Sequence, residues 1–171
     1  MPRIPGPQTP QTRAPDRPRA LDQSLRGHPF LAGLDPRYLD LLTRYAWNVV
    51  FADGSFLFCE GQPAEKFFLI LDGKVSLETA APGSGAIVVQ TIGGGEVAGF
   101  SWLLEPHHWE FDGRAVGTVT AIGLDGARLR EECDQDPALG YELMRRFARL
   151  AIRRMQAARI RLLDVYGRAH A

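Results

Sequence analysis

Cysteine, histidine and lysine are all scarce in this 171-residue chain: two, four and two residues respectively. Cys59 and Cys133 show no CxxC spacing, and two thiols are too few to hold an iron–sulfur cluster from one chain. They read as buried free thiols of a reducing compartment. No apolar run approaches the ~18–20 residues of a membrane span, and prolines and arginines occupy the N-terminus where a signal peptide needs an apolar stretch. A cytoplasmic protein without membrane contact is expected. Arginine replaces lysine almost throughout, 18 to 2, which is a compositional bias before it is a functional one.

The net charge is zero, but its signs are segregated. Met1 to Ala20 carries four arginines against Asp16, and Gly140 to Ala171 carries eight against Glu142 and Asp164. An acidic middle argues against a uniform nucleic-acid surface and leaves the arginine-rich end open to an anionic partner.

Half of the twelve prolines fall in Met1–Ala20, which has almost no large apolar side chains to offset its ordering entropy, so residues 1–20 are expected to be a disordered tail. Leu21, Leu25, Phe30, Leu34, Leu39 and Leu42, interrupted by Pro29 and Pro36, predict short helices. Asp35-Pro36 caps one that should run to about Ala46. From Trp47 to Leu124, runs of Val, Ile, Phe and Thr alternate with turns expected at Asp53-Gly54, Asp72-Gly73, Pro82 to Gly85 and Gly93 to Gly95. Val75 and Leu77 alternate with Lys74, Ser76 and Glu78, the period of a strand with one wet face. The fold class is mainly β: a double-stranded β-helix (jelly roll, or cupin-like β-roll) over about 47–125, with short N-terminal helices and a long C-terminal helix.

Residues 126–166 should be helical. "GARLREEC" predicts a short helix, and Asp136-Pro137 caps a longer one, expected to stop at Gly167. Along it Tyr141, Met144, Ala148, Ala151, Met155, Ala158, Leu162 and Val165 follow steps of three and four, a heptad seam. Leu143, Phe147 and Leu150 form a second stripe. One stripe can face the β-domain while the other makes a homodimer; alternatively both form one broad core-facing surface.

This order of parts, and above all "DGSFLFCEGQPAEKFFLILDGKVSLE" with Gly54, Gly61, Gly73 and Val75, resembles the cyclic-nucleotide-binding domain of Crp/Fnr-type regulators. The resemblance runs from Leu21 to Tyr166. It implies a phosphate-binding cassette: a Gly-Glu pair whose Glu takes the ribose 2′-hydroxyl, a short helix, and an Arg about ten residues on that holds the cyclic phosphate, as suits an anion at a helix N-terminus. Laid on this sequence, the cassette puts Gly99 at the glycine, Phe100 at the glutamate, Ser101 to Leu104, with Trp102, on the short helix, and Trp109 at the arginine. Both polar ligand contacts are missing. Starting instead at Gly95-Glu96 brings the arginine position near His107, with Glu105 and Glu110 adding negative charge. Arg114 could serve only in a cassette about five residues longer.

Phe100, Trp102 and Trp109 could stack on a flat effector or fill the space a nucleotide would take. His107-His108 would point to opposite faces of a strand, and no third ligand stands at metal spacing, so no metal, haem or other cofactor is expected. His28 and His170 fall in expected surface segments. A cupin enzyme needs a histidine-rich metal motif that is missing, so no enzyme is expected. In the family a helix-turn-helix follows the long helix, and this chain stops at Ala171, so direct DNA binding is not expected. The function expected is a stand-alone regulatory module with a degenerate cassette, dimeric through its last helix, sensing a small-molecule effector other than a standard cyclic nucleotide and acting through a partner protein. The alternatives are a ligand-free scaffold, and cyclic nucleotide binding through Arg114.

Overall fold

The computed structural model describes residues 12–13, 18–81, 83 and 85–169. The elements, in chain order, are β1 (Thr12–Arg13), α1 (Pro18–Arg26), α2 (Pro36–Arg44), β2 (Ala46–Phe51), β3 (Phe56–Phe58), β4 (Lys66–Ala81), β5 (Gly85–Gly93), β6 (Val97–Ala98), β7 (Asp112–Asp125), α3 (Gly126–Gln135) and α4 (Pro137–Ala169). The chain divides into two compact units, parting between Glu131 and Glu132.

The helix starts follow from local chemistry. Asp35 Oδ1 accepts the Arg37 amide at 2.9 Å and Pro36 opens α2. Asp136 Oδ1 accepts the Ala138 amide at 3.1 Å ahead of α4. Such side-chain caps satisfy amides that have no partner within the helix. α2 ends at Arg44 because Ala46 already pairs with Leu124 in β2. α4 does not stop at Gly167 but continues to Ala169. Within the expected tail, Thr12 and Arg13 pair with Val50 and Val49, and α1 starts at Pro18. Residues 1–11 and 14–17 lie outside the described residues.

All strand pairs are antiparallel, in the order β1-β2-β7-β4-β5, with β3 also on β7 and β6 also on β4. The two long strands pair with each other, and each also serves two further strands. β7 pairs with β2 through 119–124 and with β3 through Gly113 and Arg114; β4 pairs with β6 through Phe68 and Leu69 and with β5 through 74–81.

The Asp72-Gly73 turn expected from the sequence is not a turn. β4 runs straight through it, with register shifts on either side of Asp72. Gly73 sits there at φ +94°, opposite the stretch where Gly117 has φ +72°. A Cβ on Gly73 would lie 2.5 Å from the Thr118 carbonyl oxygen, so the close crossing of the two strands requires glycine. Bulges of this kind bend and twist a ladder, which lets one strand pair pass from one sheet layer to the other. The result is the mainly β roll that the hydrophobic pattern predicts. Phe51, Phe67, Phe68, Leu69, Ile70, Val75, Ile92, Val119, Ile122 and Leu124 are each at most 2% exposed, and the consecutive run 67–70 shows that β4 is covered on both faces.

Candidate functional site

β6 carries the chain to Gly99, which has φ +89° and is buried. Residues 101–106 then form turns; the short helix implied for Ser101 to Leu104 is not formed. Trp102 is drawn fully inside, and Pro106 has no N–H to continue a helical ladder. Phe100 and Ser101 are half-buried, and Leu104, Glu105 and Pro106 are exposed.

Trp109 closes the segment. Its amide donates to the Gln62 carbonyl at 2.9 Å and its carbonyl accepts from Gly61 N–H at 2.8 Å, pinning it to the turn after β3. Its indole is 4% exposed and stacks on Phe58, with ring centroids 4.1 Å apart and planes at 17°. The ring also meets Gly99, where a Cβ would lie 2.6 Å from Trp109 Cη2. Phe58 in turn lies over Gly113, whose Cβ would be 2.5 Å from the ring. The positions that the resemblance assigns to the glycine and the phosphate-holding arginine are therefore in direct contact, glycine to indole.

Trp102 has its own seat. It stacks on Phe67 at 4.7 Å and 10°, and its Cβ lies 2.9 Å from where a Cβ of Gly126 would be. Arg130 Nη1 donates to the Trp102 carbonyl at 2.5 Å and to the Ala64 carbonyl at 3.2 Å, tying α3 to both segments.

Arg114 is not brought to this cluster. It pairs with Ser76 while Gly113 pairs with Leu77, so the guanidinium lies on the opposite face of the strand from the Phe58–Trp109 stack. Arg114 Nη1 stands 3.8 Å from Glu78 Oε2 and over the Phe56 ring, 5.9 Å from its centroid. Glu78 is 7% exposed and accepts from Ser76 Oγ at 2.6 Å. The half-exposed guanidinium thus faces a buried carboxylate beyond hydrogen-bond distance. From Gly99 to Trp109 there is no lysine or arginine.

The glycines before the cassette build a turn. Glu96 Oε2 accepts the Gly93 amide at 2.8 Å, and the Ile70 carbonyl accepts Gly95 N–H at 2.8 Å. That same carbonyl is 3.1 Å from His28 Nε2. His28, expected at the surface, is 3% exposed, and its Nδ1 accepts the Phe30 amide at 3.3 Å. Nε2 therefore carries the proton, and burial holds the imidazole below its ordinary pKa despite the bond to Ile70. His107 (φ +56°) gives its amide to Leu104 and its carbonyl to Ala64, while His108 Nδ1 donates to the Pro106 carbonyl at 2.7 Å. Both thiols are half-buried. Burial, then Asp112, raises Cys59; burial, then Asp134, Asp136 and Glu132, pushes Cys133 up to about 11.

Sequence reasoning missed Phe58, Phe67, Gly113, Gly126 and Arg130. A signal was present for the glycines: Gly113 and Gly123 fall within β7, where glycine weakens a strand unless another group approaches its backbone closely. Trp47 fills that role at Gly123, with Nε1 2.7 Å from the position of a Cβ.

On α4 the two stripes separate. Leu139, Leu143, Phe147 and Leu150 are at most 5% exposed. Of the seam, Tyr141 (70%), Met144 (40%), Met155 (67%), Ala148 and Ala158 are exposed and Ala151 is half-buried. The side chains of Leu162 and Val165 lie outside the described residues.

A glycine-bent antiparallel β-roll followed by a long helix defines the class of fold. Residues 48–136, rather more than half of the chain, match the cyclic nucleotide-binding domain model, and the chain belongs to that family. It is 26% identical over 129 residues to the CRP-like cAMP-activated global transcriptional regulator of Mycobacterium tuberculosis, covering 75% of this chain but 58% of the relative's length. A solved cyclic nucleotide-binding protein of Geobacter metallireducens is similar with 28% identity and a TM-score of 0.70, covering 82% of this chain and 98% of its own. A cyclic nucleotide-binding domain of Methylobacillus flagellatus shares the fold with a TM-score of 0.74 at 18% identity, covering 90% of this chain and 87% of its own.

Proposed function

We propose that the chain is a dimeric regulatory module of the cyclic nucleotide-binding fold that does not hold cyclic AMP in the family manner. One observation carries this reading: the Trp109 indole rests on the Gly99 backbone and the Phe58 ring, at the position the resemblance gives to the phosphate-holding arginine. A charge-assisted phosphate contact contributes ~1.5–3 kcal/mol, on the order of ten- to a hundredfold in affinity, and an indole cannot supply it. The Phe100 position likewise offers no carboxylate for a ribose hydroxyl. An effector, if one binds, is flat or apolar and acts by displacing or stacking on these aromatics, with output through a partner protein.

The uncovered seam of Met144, Ala148, Ala151 and Met155, beside a stripe that is buried, supports pairing of α4 with a second copy. Isothermal titration with cyclic AMP and cyclic GMP tests the ligand reading. Neither should bind at micromolar concentration; micromolar binding that disappears in Arg114→Ala would overturn the proposal in favour of a rearranged cassette. A second reading, a scaffold without any effector, is favoured by how tightly Trp102 and Trp109 are packed. A thermal-shift screen of small metabolites separates the two, since any ligand of the folded state raises its melting temperature.

A further inference from the structure

α4 has a third face that neither the buried stripe nor the homodimer seam uses. At about 100° per residue, Arg149, Ile152, Arg153, Gln156, Ile160 and Leu163 fall within one arc of roughly 100°. All six are exposed, and the three aliphatics strongly so: Ile152 50%, Ile160 61% and Leu163 61%. A solvated face of an ordinary helix would carry acids among its bases and few large aliphatics. Here no Asp or Glu occurs between Glu142 and Asp164, so neither Arg149 nor Arg153 has a carboxylate three or four positions away on its own helix.

We infer that this face docks an acidic amphipathic segment of a partner protein. Charge complementarity selects the occupant. A second copy of α4 would bring arginine against arginine, because this stretch has no acid of its own to offer. A lipid surface would bury the arc into the acyl boundary, and Arg149 sits between Gln156 and Ile160 in the middle of it, where the guanidinium would be held farthest from the headgroup phosphates. Nucleic acid would use the two arginines but leave Ile152, Ile160 and Leu163 in water. An acidic helix answers both demands, placing carboxylates on Arg149 and Arg153 and leucine-like side chains on the aliphatics. The surface lies beside the seam, so docking and dimerisation are compatible and can fail separately.

Fluorescence anisotropy of the full chain with a labelled amphipathic peptide, leucines on one stripe and glutamates flanking it, tests this directly. The glutamate peptide should bind, more weakly as salt rises, and the same peptide with lysine for glutamate should not. Arg149→Glu with Arg153→Glu should weaken binding at least tenfold, as should Ile152→Ser with Ile160→Ser, while sedimentation shows the oligomeric state unchanged and circular dichroism the helix intact. Equal binding of both peptides, no binding of either, or indifference to the substitutions overturns the inference. So does preferential binding of phosphatidylserine vesicles or duplex DNA.

Discussion

Between Gly99 and Trp109 the two indoles are turned inward and pressed onto bare glycine backbone; along α4 Tyr141, Met144, Met155, Ile152 and Ile160 are left outside. The same physical force acts on both sets, since each large apolar side chain gains ~1.5–3 kcal/mol from full burial. The cassette has satisfied it within the chain. The helix has done so along one stripe only, and its other large apolar side chains among the described residues remain exposed. On the function proposed above, recognition would rest on the helix more than on the pocket that the family uses.

The largest effect should come from reopening the closed region. Trp102→Ala removes a fully buried ring stacked on Phe67 and is expected to cost about 3–5 kcal/mol, read as a lower urea midpoint with unchanged slope. A loss below about 1 kcal/mol would mean that the aromatics are not the packing of this segment. On the open region the opposite behaviour is expected. Ala151→Glu should leave folding stability within about 0.5 kcal/mol yet convert a dimer to a monomer in sedimentation, because a carboxylate would be placed in the seam. A persisting dimer would reject the seam.

The smallest effect concerns the base of the glycine turn. Because burial lowers the pKa of His28, the unfolded chain binds more protons than the folded one once pH falls through the ordinary value of about 6.5. The contribution is fully present above that value and is lost as pH drops from there toward the lower folded pKa. Denaturation midpoints at successive pH values should show this loss, and His28→Gln should flatten it; an equal slope in both proteins would remove His28 from the account.

The parts legible in the sequence are those decided locally. Asp35-Pro36 and Asp136-Pro137 announce their helices because capping needs only neighbours, and the alternation of Val75 and Leu77 with polar residues announces a strand with a buried face. Asp72-Gly73 was ambiguous for a physical reason: a left-handed glycine serves a turn and a bulge equally, and the choice depends on Thr118 and Val119, more than forty positions away. His28 was misplaced for a similar reason, since its acceptor is the distant Ile70 carbonyl. For the cassette, the letters Phe100 and Trp109 showed what chemistry was missing. Nothing local could show that Trp109 would find both Gly99 and Phe58.

The glycine–aromatic contacts have a consequence for how this protein can vary. Gly99 with Trp109, Gly113 with Phe58, Gly123 with Trp47 and Gly126 with Trp102 are four two-letter words, each spelled across separate places in the chain. A methyl group added to any of these glycines collides with its ring, and a smaller ring leaves a void above the glycine. Each word therefore resists a single change of letter, and placing an arginine at position 109 has to rewrite the support beneath it as well as the residue itself.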